Sequence, residues 1–297
     1  MSTLPVIGFV GTGKMGLPMT RNLLAAGYTV VAFNRSPESL AEAASAGATA
    51  ATSLADVAAQ ADIILSSLTN QQSVRDVYLG NGGLIDNARP GQVLIDTSTN
   101  DIALMREIAE LAVAKSASFL DSPVSGGVPG AVAASLTVMV GGDESVYNQV
   151  LPVLQVIGGN VHHLGPSGAG TAMKLVNQLL CGVNMAAVAE GLLFGASAGA
   201  SPQKILEVIS TSFGGSRMLD RGIPLIIERD FKPATPVDLI RKDLGIVMDA
   251  ARDSGLPLGV TSAAFDLYDR TSNDGFGPND MTAIVIPLED GAGIKIS

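Results

Sequence analysis

The sequence has one cysteine, no tryptophan, few aromatic residues and few charged ones. In its 297 residues, Cys181 is the only cysteine, aromatic residues make up 4% and charged residues 15%. A single cysteine excludes an intramolecular disulfide and a zinc site built from cysteines. The 28 acidic residues outnumber the 18 basic ones and give a net charge of −10, which argues against a nucleic-acid-binding surface. Any bound phosphate must therefore be held by local contacts.

Small and aliphatic residues are abundant. Hydrophobic residues make up 47% of the chain and there are 34 glycines, which is enough for a buried core and excludes a disordered chain. Residues 1–5 show no secretion signal, so we expect a cytoplasmic protein. The apolar run over 175–200 contains Asn177, Gln178 and Glu190, which favours a core helix over a membrane span.

Strand and helix patterns alternate over the first 160 residues. Strands are predicted at 6–10, 29–34, 62–68, 92–96, 118–121 and 136–140. Helices are predicted at 15–26, 37–46, 54–60, 102–116 and 144–157, with Ser53 and Asp143 as caps of two of them. This alternation indicates an α/β fold with a doubly wound parallel sheet. Past Gly165 only helical patterns remain, beginning with a long helix over 169–199. We therefore predict an all-helical C-terminal domain over 165–297. The long helix would join it to the N-terminal domain.

A glycine-rich turn follows the first predicted strand. Gly11, Thr12, Gly13, Lys14, Met15 and Gly16 match G-x-G-x-x-G between a strand and a helix. In this motif the first glycine allows a tight turn, the second admits the pyrophosphate and the third lets helix and strand pack closely. The free N–H groups of the helix N-terminus then face the phosphates. The pattern predicts a Rossmann-type dinucleotide-binding domain over 1–164; the alternative is a merely structural turn.

The end of the second predicted strand indicates which dinucleotide is bound. Proteins that bind NAD usually carry Asp or Glu there, to accept a hydrogen bond from the ribose 2′-hydroxyl. This chain has Asn34, Arg35 and Ser36 instead. Arg35 can pair with a 2′-phosphate, aided by the two polar neighbours, so NADP(H) is the predicted cofactor. The alternative is that Arg35 is an ordinary solvated residue.

Four motifs, in order along the chain, resemble those of one family. They are Gly-Phe-Val-Gly-Thr-Gly-Lys-Met-Gly-Leu-Pro-Met at 8–19, Asp-Ser-Pro-Val-Ser-Gly-Gly at 121–127, the segment 168–178 around Lys174, and Arg-Lys-Asp-Leu at 241–244. Together they resemble the β-hydroxyacid dehydrogenase family, which includes 3-hydroxyisobutyrate dehydrogenases, tartronate semialdehyde reductases and NADPH-dependent glyoxylate/succinic semialdehyde reductases. The resemblance covers essentially the whole chain.

The resemblance implies roles for residues outside the glycine-rich turn. It makes Lys174 the general acid/base. A desolvated lysine on an apolar helix would have its pKa lowered toward neutrality, which suits that role. The alternative is that Lys174 is an ordinary surface lysine. The implied substrate-binding residues are Ser125, Gly126, Gly127, Asn177 and Gln178, and the further cofactor-binding residues are Leu68, Thr69, Thr99 and Lys242. Many relatives have Asn at position 178, so which amide binds substrate stays open, and Lys242 could instead pair with Asp238. His162 and His163, the only histidines, are expected to be structural.

The implied activity is hydride transfer between NADP(H) and a small β-hydroxyacid or semialdehyde that carries a carboxylate. The pocket motif at 230–236 and Met218 are less aromatic than in many relatives, so no particular substrate follows. Two alternatives stay open: an imine reductase of the related family, which usually carries Asp or Tyr in place of Lys174, and a non-catalytic NADP-binding module. We expect no metal, no nucleic-acid or membrane partner, and a homodimer or homotetramer.

Overall fold

The structure is a computed structural model that describes residues 4–296. The expectation about a secretion signal falls largely on residues 1–3, outside the described part. The chain divides into two compact units, the first ending at Lys174 and the second beginning at Leu175. The long helix α8 (Ala169–Ser197) begins in the first unit and continues into the second. The predicted domain boundary at residue 164 stays a prediction.

The first unit is built on a six-stranded parallel sheet. Its strands are β1 (Ile7–Val10), β2 (Val30–Phe33), β3 (Thr49–Ala50), β4 (Ile63–Ser66), β5 (Val93–Asp96) and β6 (Ser118–Asp121), in the order β3-β2-β1-β4-β5-β6. Its connecting helices are α1 (Gly16–Ala25), α2 (Pro37–Ser45), α3 (Leu54–Gln60), α4 (Gln71–Leu79) and α5 (Ile102–Ala114). The order reverses direction between β1 and β4, as expected of a doubly wound fold.

Both faces of this sheet are buried, which explains why its strands are almost continuously apolar. Successive side chains of a strand point to opposite faces. In β4, Ile63 and Leu65 therefore join one hydrophobic cluster, whereas Ile64 joins the other. The N-cap predictions are confirmed: the side chain of Ser53 accepts the N–H of Asp56 at the start of α3, and Asp143 accepts two N–H groups at the start of α7 (Glu144–Ile157).

A small second sheet holds the later strands of this unit. It contains β7 (Val124–Ser125), β8 (Thr137–Val140) and β9 (Asn160–His163), with helices α6 (Gly127–Val132) and α7 (Glu144–Ile157) between them. The strand predicted at 136–140 is thus present but does not extend the parallel sheet. The chain reverses at Gly126 and Gly127, both with positive φ, so β7 pairs antiparallel with β8. The short elements β3, β7, α4 and α6 lie outside the sequence prediction, because they are too short or too polar to show a clear period.

The second unit is helical, as predicted. After α8 (Ala169–Ser197) come α9 (Pro202–Ile209), α10 (Arg217–Glu228), α11 (Val237–Asp253), α12 (Gly259–Thr271) and α13 (Val285–Ala292), with a π turn at Ser272–Phe276 and a 3-10 turn at Met281–Ile284. One hydrophobic cluster joins α8 to these helices. Within residues 4–296, α8 alone is long and apolar enough to cross a membrane, with a mean hydropathy of 1.7. Its assignment as a core helix stays a prediction.

Candidate active site

The glycine-rich turn connects β1 to α1 with the geometry that its three glycines predict. Gly11 has φ +93°, and a side chain on it would collide with the carbonyl oxygen of Ser67. A side chain on Gly16 would collide with the carbonyl oxygen of Gly11 and lie 2.9 Å from the ring of Phe9. Gly13 differs, because a methyl group there would meet no atom within 4 Å. Gly11 and Gly16 are therefore fixed by packing, whereas Gly13 borders open space, and a close approach of a pyrophosphate there stays a prediction.

The polar residues after β2 are tied to this turn. The N–H of Thr12 donates to Asn34 Oδ1 (3.2 Å), and Asn34 Nδ2 donates to the carbonyl oxygen of Ser36. Arg35 is exposed and forms no ion pair within residues 4–296. Ser36 Oγ donates to Glu38 Oε2 at 2.6 Å, and this hydrogen bond lowers the pKa of the Glu38 carboxyl. No sequence pattern points to Glu38, whose carboxylate a phosphate at Ser36 would have to displace.

Three neighbouring strands end in polar side chains. Ser66, Asp96 and Asp121 are partners in the registers of β4, β5 and β6, so they stand side by side at the carboxyl edge of the sheet. This edge is where open parallel sheets bind ligands. The predicted strands at 92–96 and 118–121 end at Asp96 and Asp121, whereas the strand predicted at 62–68 runs two residues past Ser66, so the sequence indicated only two members of the row.

Asp96 is the centre of a buried hydrogen-bond network at that edge. It accepts from Ser66 Oγ (2.7 Å), Ser98 Oγ (2.7 Å) and Asn100 Nδ2 (2.7 Å). Burial raises the pKa of the Asp96 carboxyl, although these three donors oppose the rise. Ser98 Oγ in turn accepts the N–H of Leu68 at 2.8 Å. The network therefore fixes the 68–69 turn and the 97–100 loop, which carries Thr99, relative to each other.

The predicted carboxylate-binding turn lies at the start of the small sheet. Ser125 is half-buried in β7, opposite Thr137. Gly126 and Gly127 are exposed, with φ of +135° and +61°. Positive φ favours glycine at both positions, so the two glycines shape this turn whatever it binds. Thr69 is exposed as well, whereas Leu68 and Thr99 are half-buried.

Lys174 lies on α8, five residues after the helix begins. It is only 7% exposed, which excludes the alternative of a surface lysine. The start of α8 is held by Asp121, whose two carboxylate oxygens accept the N–H groups of Gly168 and Thr171, each at 2.7 Å. Asp121 opens the motif at 121–127, but the family resemblance implies no role for it.

Within the second unit, four polar side chains form a chain. Asn177 Nδ2 donates to Gln178 Oε1 (2.9 Å), and Gln178 Nε2 donates to Asp243 Oδ2 (2.5 Å). Lys242 Nζ lies 3.0 Å from Asp243 Oδ1. Asp238, the alternative partner of Lys242, instead accepts from Ser272 Oγ and pairs with Arg241. Gln178 thus bonds to two protein side chains, whereas Asn177 is half-buried and uses its amide N–H toward Gln178 and Cys181.

The two histidines are the last residues of β9. His162 is exposed, and a ring nitrogen of His163 lies 2.8 Å from the carbonyl oxygen of Gly142, with its ring stacked on Tyr147. Within residues 4–296, no three His, Cys, Asp or Glu side chains are grouped to hold a metal ion.

Comparisons with known proteins agree with this geometry. Residues 6–165 match the family described as the NAD binding domain of 6-phosphogluconate dehydrogenase. Residues 168–288 match the NAD-binding family of NADP-dependent 3-hydroxyisobutyrate dehydrogenase. The chain is 38% identical to 2-(hydroxymethyl)glutarate dehydrogenase of Eubacterium barkeri over 98% of this chain and 97% of that protein. The chain belongs to the β-hydroxyacid dehydrogenase family.

Two further proteins place this β-hydroxyacid dehydrogenase among its relatives. L-threonate dehydrogenase of Cupriavidus necator is 35% identical, covering 94% of both proteins. The solved structure of Mycobacterium tuberculosis 3-hydroxyisobutyrate dehydrogenase with L-serine superposes with a TM-score of 0.91 at 34% identity, covering 96% of this chain and 99% of that one. The predicted family and fold class are confirmed. The chain is an NAD(P)-dependent oxidoreductase of this family.

Proposed function

We propose that this β-hydroxyacid dehydrogenase interconverts a small β-hydroxyacid and its semialdehyde with NADP(H), and that Lys174 is the acid/base. The observation that carries the proposal is the burial of Lys174 near the start of α8, because a general acid must be held in place and shielded from water. In reduction, the Lys174 ammonium donates a proton to the carbonyl oxygen as the carbon receives the hydride. In oxidation, the neutral amine accepts the hydroxyl proton. The bound nicotinamide supplies or accepts the hydride.

The names of the relatives support a substrate that carries a carboxylate. The relatives named above are dehydrogenases of 2-(hydroxymethyl)glutarate, L-threonate and 3-hydroxyisobutyrate, and one solved structure contains L-serine. All four compounds carry a carboxylate and a hydroxyl group on the carbon two bonds away from it. We assign the carboxylate to the turn of Ser125, Gly126 and Gly127, whose backbone N–H groups can hold an anion without a full positive charge.

Asn177 is the better candidate of the two amides for the substrate. Gln178 donates to the buried Asp243 and accepts from Asn177, so its amide is engaged at both ends. Among the hydrogen bonds of residues 4–296, those of the Asn177 side chain use its NH₂ group, so we assign its side-chain oxygen to a hydroxyl donor of the substrate. We therefore propose Asn177 as the substrate contact and Gln178 as the residue that orients it.

The assignment of Lys174 is tested with Lys174→Met, which keeps an apolar side chain of similar length in the buried position. Loss of a positioned acid/base lowers kcat by about 10²- to 10⁴-fold. The assay follows the formation of NADPH from NADP⁺ with 3-hydroxyisobutyrate, L-threonate and 2-(hydroxymethyl)glutarate, and the consumption of NADPH with succinic semialdehyde. Lys115→Met, at the exposed end of α5, is the matched control and should leave turnover unchanged. Near-normal turnover by the Lys174 variant would rule out the acid/base assignment.

NADP preference is proposed on Arg35, which is exposed at the end of β2 and can pair with a 2′-phosphate. Arg35→Ala should raise KM for NADPH by about 10-fold or more and change KM for NADH little, since one charge-assisted contact is worth about 1.5–3 kcal/mol. Arg21→Ala, at an exposed position of α1, is the control. A preference for NADH in the unmodified enzyme, unaltered by Arg35→Ala, would refute the assignment.

The same assays decide between the alternatives. An imine reductase would reduce a cyclic imine such as 1-pyrroline and leave the four hydroxyacid-type substrates untouched. A non-catalytic module would bind NADPH and turn over none of them. We also propose that the protein is cytoplasmic and forms a homodimer or homotetramer. The oligomer is proposed because α8 exposes the apolar side chains of Val176, Leu180 and Phe194. Light scattering of the purified protein measures the mass of the oligomer.

A further inference from the structure

Helix α8 begins without a side-chain cap of its own. Most helices of the first unit start at a Ser, Asn or Asp whose side chain accepts a backbone N–H, as Ser53, Asn70, Asp101 and Asp143 do. The residue before α8 is Gly168, which has no side chain and has φ +92°. The N–H groups of an uncapped first turn would lack partners. Here Asp121, at the end of β6, accepts the N–H groups of Gly168 and Thr171, from 47 and 50 residues away.

The Asp121 carboxylate is enclosed. It is fully buried, and burial raises the pKa of the carboxyl against the opposing effect of the two N–H donors. A side chain on Gly141 would lie 2.5 Å from Asp121 Oδ1, and one on Gly170 would lie 2.6 Å from the carbonyl oxygen of Asp121. The backbones of Asp121 and Gly141 are also joined by two hydrogen bonds, of 3.1 and 2.8 Å. The first turn of α8 can therefore neither slide nor rotate without breaking these contacts.

The enclosed carboxylate lies between two parts of the proposed site. Lys174 follows Thr171 by three residues, so the N–H that Asp121 holds is on the helical turn that leads to the lysine. In the other direction along the chain, Ser125 follows Asp121 by four residues, beyond the short segment Ser122–Val124. One side chain thus connects the turn proposed to bind the substrate carboxylate to the helix that carries the proposed acid/base.

We propose that Asp121 is a positioning residue for Lys174: it sets the height and rotation of α8 at which the lysine meets a substrate held by the Ser125–Gly127 turn. The inference rests on the proposed function of Lys174. It predicts more than the stabilisation of an ordinary N-cap, because a displacement of about 1 Å at a reacting group can cost about 10²-fold in rate.

The test replaces Asp121 by Asn, which keeps one oxygen acceptor and turns an NH₂ group toward the second backbone N–H. We expect kcat to fall by at least about tenfold with the best of the four substrates. The dissociation constant for NADPH should change by less than about twofold, because the hydrogen bonds of the glycine-rich turn do not involve Asp121. Asp143→Asn is the matched control: Asp143 also accepts two N–H groups at a helix start in the first unit, and its helix carries no proposed catalytic group.

The Lys174→Met background separates positioning from general stability. If Asp121 acts through the lysine, Asp121→Asn should change the residual single-turnover rate of Lys174→Met by less than about twofold. An equal loss in both backgrounds would overturn the proposal, because Asp121 would then act independently of Lys174. Normal turnover by Lys174→Met alone would refute the proposed function, whatever Asp121→Asn does.

A folding defect is distinguished by urea unfolding of each variant. If Asp121→Asn shows no cooperative transition, Asp121→Ser, which is smaller and keeps one acceptor, takes its place in the same kinetic scheme. A folded Asp121→Ser with unchanged kcat would overturn the proposal. If neither variant folds, Asp121 is required for the fold as a whole, and the proposal fails in that case too.

Discussion

Replacing Gly13 by Ala should abolish tight cofactor binding without harming the fold. A methyl group there would meet no atom within 4 Å, and the residue is not among the glycines with positive φ. Gly→Ala at such a position stabilises a protein by about 0.4–1 kcal/mol through the unfolded state. The same methyl group would occupy the space that the pyrophosphate needs. Loss of one charge-assisted hydrogen bond, worth about 1.5–3 kcal/mol, raises the dissociation constant by about 10- to 150-fold.

Gly16→Ala is the matched comparison for this prediction. Its methyl group would collide with the carbonyl oxygen of Gly11 and lie 2.9 Å from the Phe9 ring, so the strand and helix must separate. Overpacking of this kind costs about 1–3 kcal/mol. Urea unfolding and NADPH titration by fluorescence measure both quantities for each variant. A Gly13→Ala protein that binds NADPH within about twofold of the unmodified enzyme would refute the approach of the pyrophosphate at this residue.

Two further predictions concern buried polar groups. Ser98→Ala removes the acceptor of the Leu68 N–H, so the free energy of unfolding should fall by about 1–3 kcal/mol and KM for NADPH should rise. Ser145→Ala, which removes an exposed hydroxyl, is the control. Equal effects of the two substitutions would contradict the role of the Asp96 network. Asp280 is fully buried, and although burial opposes its ionisation, hydrogen bonds from Arg221 and two backbone N–H groups lower the pKa of its carboxyl. Asp280→Asn should therefore lower the free energy of unfolding by about 2–4 kcal/mol at pH 7. Glu107→Gln, in the exposed ion pair with Arg75, should lower it little. The pKa of the Asp280 carboxyl in the folded protein lies below the unfolded value of about 3.9. The difference in free energy of unfolding between the unmodified enzyme and Asp280→Asn should therefore narrow as the pH falls below about 4. A difference that does not depend on pH would contradict the prediction.

The sequence by itself determined the features that depend on local spacing. The alternation of apolar strands and helices predicted the parallel sheet, and the G-x-G-x-x-G turn at Gly11–Gly16 predicted the conformation that the packing around Gly11 and Gly16 requires. Four motifs in order were enough to indicate the family. These patterns are legible because a strand or a helix start depends mostly on residues within a few positions of each other.

Only the tertiary structure decided which distant side chains meet. Asp121 reaches the start of α8 across 47 residues, Ser66 and Asp96 meet because β4 and β5 are neighbours in the sheet, and Gln178 reaches Asp243 through the packing of α8 against α11. The small sheet of β7, β8 and β9 likewise depends on a reversal at Gly126 and Gly127 that apolar periodicity does not encode. A hydrogen bond between distant residues is selected by burial, since a buried polar group must find whichever partner the fold brings near it.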